Sequence, residues 1–537
     1  SAGFSNCQTG FCFERLFHLG MPAGHKPALG SPPSPYGRNE EFKTTARLST
    51  WRQGKDKCLC MTIPLTDPAL IERFAAITGD QNALTAETDI APHLIEMRGL
   101  YKGESPLVLR PADTEQVAAI LRLAHETNTA IVPQGGNTGL VGAQSPRPGK
   151  GEVVLSLSRL NKIRSLDTVG QTMIAEAGVI LEKAQQAAAE AGLMFPLSLG
   201  SEGSCQIGGN LSSNAGGTAV LAYGNMRQLC LGIEAVLPDG EIWHGLRALK
   251  KDNTGYDLRD LFIGAEGTLG IITAAVLKLY PAPRGHETIY AGIDNPETAL
   301  KLFRLAQDFC GPSLTGFELM PRIGIEFTTR HIEGVRDPLT EPHPWYVLID
   351  ITSGQSQDAA RDMLEGLFIA ADEKGLIRDA AAAETEAQRQ SFWTLRESMS
   401  WAQKPEGGSI KHDVSVPVAL VPEFLATADQ AVLKAMPDAR IVAFGHMGDG
   451  NIHYNISQAP GADTESFLAR WKEMNEIVHA IVLKLNGSIS AEHGIGQLKR
   501  DELAAIRTPV EMAMMRRIKD AFDPKGIMNP GKVIASR

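Results

Sequence analysis

The stretch Pro133-Gln134-Gly135-Gly136-Asn137-Thr138-Gly139-Leu140 follows the apolar run Ala130-Ile131-Val132 and has the pattern of a strand that opens into a glycine-rich loop. Glycine lets backbone N–H groups turn inward, and the nest they form can bind a pyrophosphate without cationic side chains. A single loop of this kind is equally compatible with a tight turn. Its meaning therefore depends on whether similar loops follow.

Two more glycine-rich loops do follow. The second runs from Leu199-Gly200-Ser201 to Asn214-Ala215-Gly216-Gly217, and the third is Gly264-Ala265-Glu266-Gly267-Thr268-Leu269-Gly270, which precedes an apolar strand. Neither GxGxxG at the start of a βαβ helix nor GxxxxGK[ST] is present, so Rossmann and P-loop sites are disfavoured. The three loops together predict a surface on which the backbone approaches a flat or extended ligand.

The strand and helix patterns around these loops divide the chain into two blocks. In the first, Thr114–Asn128 has helical spacing with Thr114 as the expected N-cap, and Pro238-Asp239-Gly240 between two apolar runs predicts a β-hairpin. Tyr280-Pro281-Ala282-Pro283 marks the boundary. The second block repeats strand–helix–strand units, which favours an antiparallel sheet with helices on one face.

We therefore predict an α+β protein with five regions. They are an extension at 1–60, a helical lead-in at 61–105, a cofactor domain at 106–283, a substrate or cap domain at 284–487, and a segment at 488–537 that returns to the cofactor domain.

Residues 1–60 differ in composition from the rest. They contain Ser31-Pro32-Pro33-Ser34-Pro35 and no sustained apolar period, whereas Met61 begins a stretch of ordinary globular character. We expect disorder before Met61, as an extension outside the folded protein, with a transit peptide as the alternative. Glu14, Glu40 and Glu41 count against the transit peptide.

The bulk composition narrows the function classes. The 537 residues suffice for two or three domains, and 43% hydrophobic and 21% charged content is ordinary for a soluble globular protein. The net charge of −10 argues against nucleic acid as a partner, and no apolar run reaches the ~18 residues of a membrane span. The seven scattered cysteines indicate no disulfide framework. We expect a reducing compartment, the cytoplasm, with the mitochondrial matrix as the alternative.

A second kind of motif lies in the cap block. Gly445-His446-Met447-Gly448-Asp449-Gly450-Asn451-Ile452-His453 places two imidazoles on either side of a glycine-rich turn, with Asp449 at its apex. Glu492-His493-Gly494 adds a carboxylate and a third imidazole from a distant segment. Two histidines and one carboxylate form a metal-ligand set that leaves coordination positions open for a substrate. Such a site indicates an enzyme.

The three glycine-rich loops, in this order, resemble the FAD-binding domain of the vanillyl-alcohol oxidase / p-cresol methylhydroxylase (PCMH) family. Gly445–His453, Ala491–Gly496 and Asp523–Lys532 resemble the C-terminal part of its FAD-linked 2-hydroxy acid dehydrogenases. The resemblance implies a two-subdomain PCMH-type FAD-binding domain plus an antiparallel-sheet cap domain. Gly135 and Gly136 stand where some members carry a histidine bonded to the flavin, which implies non-covalent FAD.

The resemblance also implies a set of cofactor-binding residues in the loops and near the C-terminus. They are Pro133, Gly135, Gly136, Asn137, Thr138, Gly139, Leu140, Ser201, Gly209, Asn210, Asn214, Gly217, Gly267, Ile272 and Asn529.

In the cap domain the resemblance implies a catalytic metal site. His446, His453 and Glu492 would bind a divalent metal, by analogy zinc, which would lower the pKa of a substrate hydroxyl. His493 would take the hydroxyl proton as general base, and Asn451 would lie close to the substrate. Isolated hairpin histidines more often make separate hydrogen bonds, and Asn451 is equally compatible with a turn residue. The glycine turn and Glu492 favour the metal site.

Substrate choice is expected to depend on cations. Arg396 and Ser400 lie four residues apart in the helical stretch Ser391–Gln403 and are expected to share a face, and Lys411 opens a strand. The resemblance implies that Arg396, Ser400 and Lys411 hold the far carboxylate of D-2-hydroxyglutarate. Taken singly, each residue has a commoner interpretation than a substrate contact. Such an arginine is usually paired with a neighbouring carboxylate, and such a lysine usually extends to solvent. Together, the two cations suit a dicarboxylate.

The sequence thus predicts FAD- and metal-dependent oxidation of D-2-hydroxyglutarate to 2-oxoglutarate by hydride transfer to flavin. D-lactate or glycolate dehydrogenation, an FAD-dependent alcohol or sugar oxidase, and a flavin-storing protein are the alternatives. By analogy, the electron acceptor is an electron-transferring flavoprotein or a quinone. A homodimer is compatible with the sequence, which does not fix the oligomeric state.

Overall fold

The computed structural model describes residues 65–536, so the expectations for residues 1–60 and for the start at Met61 lie outside the described residues. Within residues 65–536, no helix combines the length and the apolar character needed to cross a bilayer.

The first sheet follows the N-terminal helix and has four strands in the order β1-β2-β4-β3. Strands β2, β4 and β3 are parallel, and β1 is antiparallel to β2. Its elements are α1 (Pro68–Thr78), β1 (Ala83–Leu84), α2 (Glu87–Leu94), β2 (Val108–Leu109), α3 (Thr114–Thr127), β3 (Ile131–Gln134) and β4 (Val153–Ser156).

Helix α3 shows how the local sequence sets an element. Its N-cap is Asp113, whose carboxylate accepts the Gln116 N–H at 2.8 Å, so the expectation of Thr114 as N-cap was wrong by one residue. Both residue types cap helices, and the carboxylate of Asp113 reaches the free N–H here. Val117, Ile120, Leu121 and Ala124 are buried along one face, as the helical spacing predicted.

The second sheet has five antiparallel strands in the order β5-β6-β10-β8-β9, and β8 and β9 form the predicted hairpin. Its region contains β5 (Ile163–Asp167), β6 (Thr172–Glu176), α4 (Leu181–Glu190), β7 (Leu193–Met194), α5 (Ile207–Ser213), α6 (Val220–Tyr223), β8 (Cys230–Val236), β9 (Ile242–Gly245), α7 (Arg259–Phe262), β10 (Ile271–Lys278) and β11 (Tyr280–Pro281). The three glycine-rich loops leave β3, precede and follow α5, and precede β10.

A third sheet forms the cap, with seven antiparallel strands in the order β15-β12-β14-β13-β17-β18-β16. Its elements are β12 (Gly285–Ile293), α8 (Pro296–Cys310), β13 (Leu314–Pro321), α9 (Arg322–His331), β14 (Trp345–Ser353), α10 (Gln357–Glu373), β15 (Asp379–Ala382), α11 (Glu386–Glu397), α12 (Met399–Ala402), β16 (Ser409–Ser415), α13 (Val421–Ala435), β17 (Arg440–His446), β18 (Asn451–Ser457), α14 (Thr464–Ala469) and α15 (Trp471–Lys484).

The two faces of the cap sheet have different roles. Helices α8, α10, α13 and α15 pack on one face and enclose the largest apolar core, to which strand residues such as Phe317, Val347 and Ile452 contribute. Successive strand residues point to opposite faces. The second face is covered in part by α9, α11 and α12, around Phe444 and Leu348, and carries the polar side chains of the site in its remaining part.

The C-terminal segment, with α16 (Arg500–Ile506) and α17 (Pro509–Phe522), lies against the first sheet. The Ile131 N–H donates to the Ile527 carbonyl at 2.9 Å, and the Asn529 N–H donates to the Ile131 carbonyl at 2.8 Å. The segment thus extends the edge of the sheet beside β3, the strand that opens into the first glycine-rich loop.

Gly450 and Gly461 give a matched test of the cap hairpin. Both have positive φ, +83° and +75°, but a Cβ on Gly450 would lie 2.1 Å from the Val416 carbonyl oxygen, whereas Gly461 has open space. Gly461→Ala should lower the free energy of unfolding by about 1 kcal/mol, the cost of a left-handed alanine. Gly450→Ala should cost about 1–3 kcal/mol more because of the backbone overlap. Urea unfolding measures both, and equal losses would contradict the packing described here.

Candidate active site

The site is built on a row of side chains that crosses four neighbouring strands of the cap sheet. Glu318 on β13 is paired in register with His446 on β17, and His453 on β18 is paired with both Phe444 on β17 and Asp413 on β16. All lie on the sheet face opposite the large apolar core. The strand register therefore places residues from distant positions in the chain side by side on one face of the sheet.

The two hairpin histidines lie side by side within this row. Residues 447–450 form the turn between β17 and β18, and the ring centroids of His446 and His453 are 5.5 Å apart. Glu492 comes from the irregular segment after α15, and its carboxylate lies within 4.8 Å of a nitrogen of each ring. The structure therefore brings together the three residues for which the sequence predicted a metal site.

Glu318 bridges His446 and Arg396. One carboxylate oxygen is 2.8 Å from His446 Nδ1, and the other accepts a 2.8 Å hydrogen bond from Arg396 Nε. The side chains of Glu318 and Arg396 are 1% and 6% exposed, so this is a buried ion pair. A partner on Nδ1 directs Nε2 toward the site, as is typical of metal-binding histidines.

Burial and these charges shift the pKa values of both groups. Burial would raise the pKa of Glu318, but His446 and Arg396 lower it to about 2. Burial would lower the pKa of His446, but Glu318 raises it to about 9, so a cation bound at this imidazole would displace a proton. The pKa of His453 is held well below its usual value by burial and by His446, which leaves its ring neutral.

Asp413 organises the other side of the row. The residue is 2% exposed, and its carboxylate accepts the backbone N–H groups of Glu492 and His493, each at 2.9 Å, and the side-chain amide of Asn451 at 3.0 Å. Burial would raise the pKa of Asp413, but His493 and Lys499 hold it below its usual range. The carboxylate is therefore an anion that fixes the segment carrying two of the candidate site residues.

His493 lies beside Asp413 in this part of the site. Its Nδ1 lies 3.5 Å from Asp413, and its carboxylate neighbours Glu492 and Asp413 form a second group of converging ligand atoms with it. Burial lowers the pKa of His493 to about 4. With Nδ1 toward Asp413, Nε2 is the nitrogen available to accept a proton.

The segment 492–496 is also tied to the glycine-rich loops. The Gly217 N–H donates to the Glu492 carboxylate at 2.5 Å, and the Glu266 carboxylate accepts the N–H groups of Ile495 and Gly496, both at 2.7 Å. Gly217 belongs to the second loop and Glu266 to the third. The row of cap side chains therefore faces the loops.

The loops themselves fit an extended cofactor. A Cβ on Gly136 would lie 2.1 Å from the Ser204 carbonyl, and one on Gly267 would lie 2.4 Å from Pro133 Cγ, so the three loops approach too closely for side chains there. Three buried amide oxygens have no hydrogen-bond partner among the described residues, and they come from different segments of this region: Asn137 Oδ1, Gln206 Oε1 and Asn529 Oδ1. A backbone cradle with spare polar atoms suits a dinucleotide such as FAD.

The other expected cofactor residues lie in the same three loops or at their ends. Asn137 and Asn214 adopt left-handed φ, at 55° and 53°, and Asn210 is buried in α5. Asn529 donates to the carbonyls of Glu266 and Ala143, at 2.7 and 3.0 Å, and so links the C-terminal segment to the third loop.

The expected substrate residues differ from one another in burial and in contacts. Helix α11 ends at Glu397 and α12 begins at Met399, so Arg396 and Ser400 do not share a helix face: Arg396 is buried and Ser400 is exposed. Arg396 faces Glu318 inside the cap. Lys411 donates to the Ser400 carbonyl at 2.9 Å, and Asn451 lies within the row.

Glu318, Asp413 and Glu266 are the site residues that sequence reasoning missed. Each had a local signal: Glu318 is a lone charge in the apolar strand Leu314–Pro321, and Asp413 alternates with apolar residues on β16. A charge that the strand pattern places inside a sheet needs a buried partner. The identity of that partner could not be read from one strand.

The comparisons with known proteins agree with this geometry. A model described as "FAD binding domain" matches residues 105–245, and one described as "FAD linked oxidases, C-terminal domain" matches residues 282–533. D-2-hydroxyglutarate dehydrogenase, mitochondrial, of Arabidopsis thaliana is 36% identical over 86% of this chain and 81% of its own. A D-2-hydroxyglutarate–pyruvate transhydrogenase of Saccharomyces cerevisiae is 38% identical over 81% of this chain and 87% of its own.

A solved structure of p-cresol methylhydroxylase with substrate bound matches the fold. Its TM-score is 0.69 at 18% identity, over 88% of this chain and 99% of that one. At that identity the match supports the fold alone, and it agrees with the two-subdomain FAD-binding architecture beside an antiparallel cap.

Fold and site together define an FAD-binding oxidoreductase. The chain belongs to the family of FAD-linked oxidases that includes the D-2-hydroxyglutarate dehydrogenases, since its relatives match over most of both chains. The family resemblance, the fold class and the flavoenzyme class predicted from the sequence are thereby confirmed.

Removing Glu318 tests the buried ion pair. Glu318→Ala should lower the free energy of unfolding by about 3–5 kcal/mol, because Arg396 would stay buried without a counter-charge. The matched control is Glu386→Ala on α11, whose side chain is 61% exposed and pairs with Arg389, and which should cost less than about 1 kcal/mol. The free energy of unfolding of both variants is measured in urea. Similar small losses would show that the ion pair of Glu318 contributes little to stability.

Proposed function

We propose that this protein oxidises a D-2-hydroxy acid to the 2-oxo acid, with D-2-hydroxyglutarate as the preferred substrate. The observation that carries the proposal is the convergence of His446, His453 and Glu492 next to His493, with Glu492 hydrogen-bonded to the second glycine-rich loop. The names of the plant and yeast relatives support the same substrate.

The glycine-rich loops and Asn529 would hold FAD non-covalently. When bound, FAD supplies the acceptor for the hydride that leaves the substrate Cα. The residues of the chain have to bind the substrate, exclude water and accept the hydroxyl proton. The contact between Gly217 and Glu492 keeps the second loop beside these residues.

His446, His453 and Glu492 would hold a divalent metal, for which we propose zinc because two imidazoles and a carboxylate are its usual ligands at catalytic sites. Such an ion supplies Lewis acidity to the 2-hydroxyl and carboxylate oxygens of the substrate. Glu318 orients His446, and Asp413 orients Glu492 through its backbone N–H, so both buried carboxylates preorganise the ligands.

His493 would act as the general base. Asp413 is hydrogen-bonded to the His493 N–H and lies beside its Nδ1, so the ring is held with Nε2 free. The reaction then balances: the hydroxyl proton goes to His493, the Cα hydrogen leaves with its electron pair, and the C–O bond becomes a carbonyl.

We propose different roles for the two cations of the cap. Arg396 is already neutralised by Glu318, and its charge acts on the His446 and His453 rings, so we place it at the metal end of the substrate. Lys411 has no carboxylate partner among the described residues and lies on the same face of β16 as Asp413, so it suits the far carboxylate together with the exposed Ser400 hydroxyl.

The acceptor of the flavin electrons and the compartment are further parts of the proposal. We propose an electron-transferring flavoprotein or a quinone, and the name of the yeast relative adds pyruvate as a third acceptor. The cytoplasm remains our prediction for the compartment, and the mitochondrial name of the plant relative favours the matrix as the alternative. A homodimer also remains a prediction.

Anaerobic bleaching of the FAD-loaded protein tests the function. D-2-hydroxyglutarate should reduce the flavin, and L-2-hydroxyglutarate should leave it oxidised. EDTA or His453→Ala should abolish bleaching because the metal site is lost. His493→Gln should slow it by about 10²–10⁴-fold, the usual contribution of a general base.

The same assay separates the alternatives. Faster bleaching by D-lactate or glycolate would indicate that one of these acids is the preferred substrate. Rapid peroxide formation in air would indicate an oxidase. Flavin that stays oxidised with every hydroxy acid would indicate a storage protein, and EDTA-insensitive bleaching would remove the metal from the mechanism.

The role of Arg396 can be tested with two substrates. Arg396→Ala should lower kcat/KM for D-2-hydroxyglutarate and for D-lactate by similar factors, about 10–100-fold, because Glu318 would no longer orient His446 correctly. Arg389→Ala on the same helix is the control and should change neither. A loss confined to the dicarboxylate would instead place Arg396 at the far carboxylate.

A further inference from the structure

Glu266 in the third glycine-rich loop has an unusual backbone conformation. Its φ is +52°, in the left-handed region that a residue with a side chain rarely adopts. A residue persists in such a conformation only where the surrounding structure holds it there. The contacts of Glu266 therefore indicate what the residue does.

The backbone of Glu266 is bonded to two other parts of the cofactor cradle. Its N–H donates to the Ser212 carbonyl in α5 at 2.8 Å, and its carbonyl accepts the Asn529 side-chain amide at 2.7 Å. Asn529 Oδ1 is buried without a hydrogen-bond partner among the described residues, so it is available to a ligand in the cradle. Glu266 is thus bonded directly to a side chain that FAD can contact.

The carboxylate of Glu266 reaches in the other direction, to residues 492–496. Its two oxygens accept the N–H groups of Ile495 and Gly496, both at 2.7 Å. Gly494 has a φ of +81°, and a Cβ there would lie 2.6 Å from Glu266 Oε1. Glycine at this position therefore lets the segment fold closely around the carboxylate.

The Glu266 carboxylate depends on these two N–H groups. The residue is 7% exposed, and its carboxylate makes no salt bridge within residues 65–536. Burial raises the pKa of Glu266 to about 7, because the N–H groups and the charge of Lys499 offset burial only in part. Loss of the two hydrogen bonds would leave a buried carboxyl group without partners, which is costly. We therefore expect the third loop and residues 492–496 to move together.

The opposite end of this segment is held by the cap and by the second loop. Asp413 on β16 accepts the N–H groups of Glu492 and His493, both at 2.9 Å. The Gly217 N–H donates to the Glu492 carboxylate at 2.5 Å. A ligand that fixes the cradle would therefore also fix Glu492, and an ion bound at Glu492 would also fix the cradle.

We propose that Glu266 is a positioning residue through which FAD and the divalent metal strengthen each other's binding. The contacts run from Asn529 in the cradle through Glu266 to residues 492–496, and so to the expected metal ligand Glu492. Such coupling is reciprocal, because each of two ligands that favour the same arrangement raises the affinity for the other by the same factor. The identity of both ligands rests on the proposed function.

FAD binding by the full chain, with and without metal, tests the coupling. FAD-loaded protein is diluted in EDTA or in excess Zn²⁺, and the fluorescence of the released flavin gives the dissociation constant of FAD. In the wild-type protein Zn²⁺ should lower this constant by about 5–150-fold, the usual range for two coupled sites. Glu266→Gln should lose most of this factor, because an amide presents one acceptor oxygen to two N–H groups.

Two further variants serve as controls. The carboxylate of Glu502 in α16 is bonded to His479 of the cap helix α15, so Glu502→Gln should keep the wild-type effect of Zn²⁺. His453→Ala removes an expected metal ligand and should abolish the effect. Should Glu266→Gln not retain FAD, Glu266→Asp gives the same comparison, since its shorter side chain keeps the charge and cannot reach both N–H groups.

The ratio of the two dissociation constants separates positioning from a structural role. If Glu266 only stabilised the fold, Glu266→Gln would weaken FAD binding equally in EDTA and in Zn²⁺, and the ratio would stay at its wild-type value. That result would overturn the proposal. Wild-type FAD binding that Zn²⁺ leaves unchanged, or a Zn²⁺ effect that persists in His453→Ala, would overturn it as well.

The bleaching assay separates this inference from the proposed function. A Zn²⁺ effect on FAD binding that Glu266→Gln removes, in a protein that no hydroxy acid bleaches, would support the coupling and reject the function. EDTA-sensitive bleaching by D-2-hydroxyglutarate, with FAD binding that is the same in EDTA and in Zn²⁺, would support the function and reject the coupling.

Discussion

The buried carboxylate of Asp413 is the constraint on which the site depends. An anion inside a protein is tolerated only when donors and cations surround it, and Asp413 receives two backbone N–H groups and one side-chain amide. Those donors belong to Glu492, His493 and Asn451. The hydrogen bonds that stabilise this anion thus fix an otherwise irregular segment. That segment carries a metal-ligand candidate and the candidate base.

The same segment joins the cap to the FAD-binding domain. Glu492 accepts an N–H from the second glycine-rich loop, and Glu266 of the third loop accepts two N–H groups from residues 495 and 496. Charge-assisted hydrogen bonds of this kind are shorter and stronger than neutral ones. Each side of the boundary thus contributes a carboxylate that accepts N–H groups from the other side. A displacement of the cap would therefore disturb the candidate ligands and the cofactor loops together.

The parts predictable from sequence were those set by local chemistry. The glycine-rich loops, the β8–β9 hairpin and the turn between His446 and His453 each follow from a few neighbouring residues. The family resemblance then supplied the fold class. The choice between Asp113 and Thr114 as N-cap was missed because both residue types can accept the same hydrogen bond.

The parts that could not be predicted depend on strand register. Glu318 meets His446 only because β13 and β17, far apart in sequence, are neighbours in the sheet. The burial of Arg396 depends on the same strand order, since it turns inward to Glu318 while Ser400 stays outside. One sequence shows that such charges are unusual in their elements, but their partners appear only once the sheet order is known.

The charged groups of the site are unevenly distributed. At one end Glu318 is balanced by Arg396, which leaves two imidazoles and the Glu492 carboxylate facing the cofactor loops, an arrangement that suits a dication. On β16 the Lys411 ammonium donates to the Ser400 carbonyl and has no carboxylate partner within residues 65–536. A ligand whose oxygens faced these imidazoles would also lie near His493, because Glu492 belongs to both groups of converging ligand atoms. Asp413 lies beside Nδ1 of His493, so Nε2 is the ring nitrogen that could meet such a ligand.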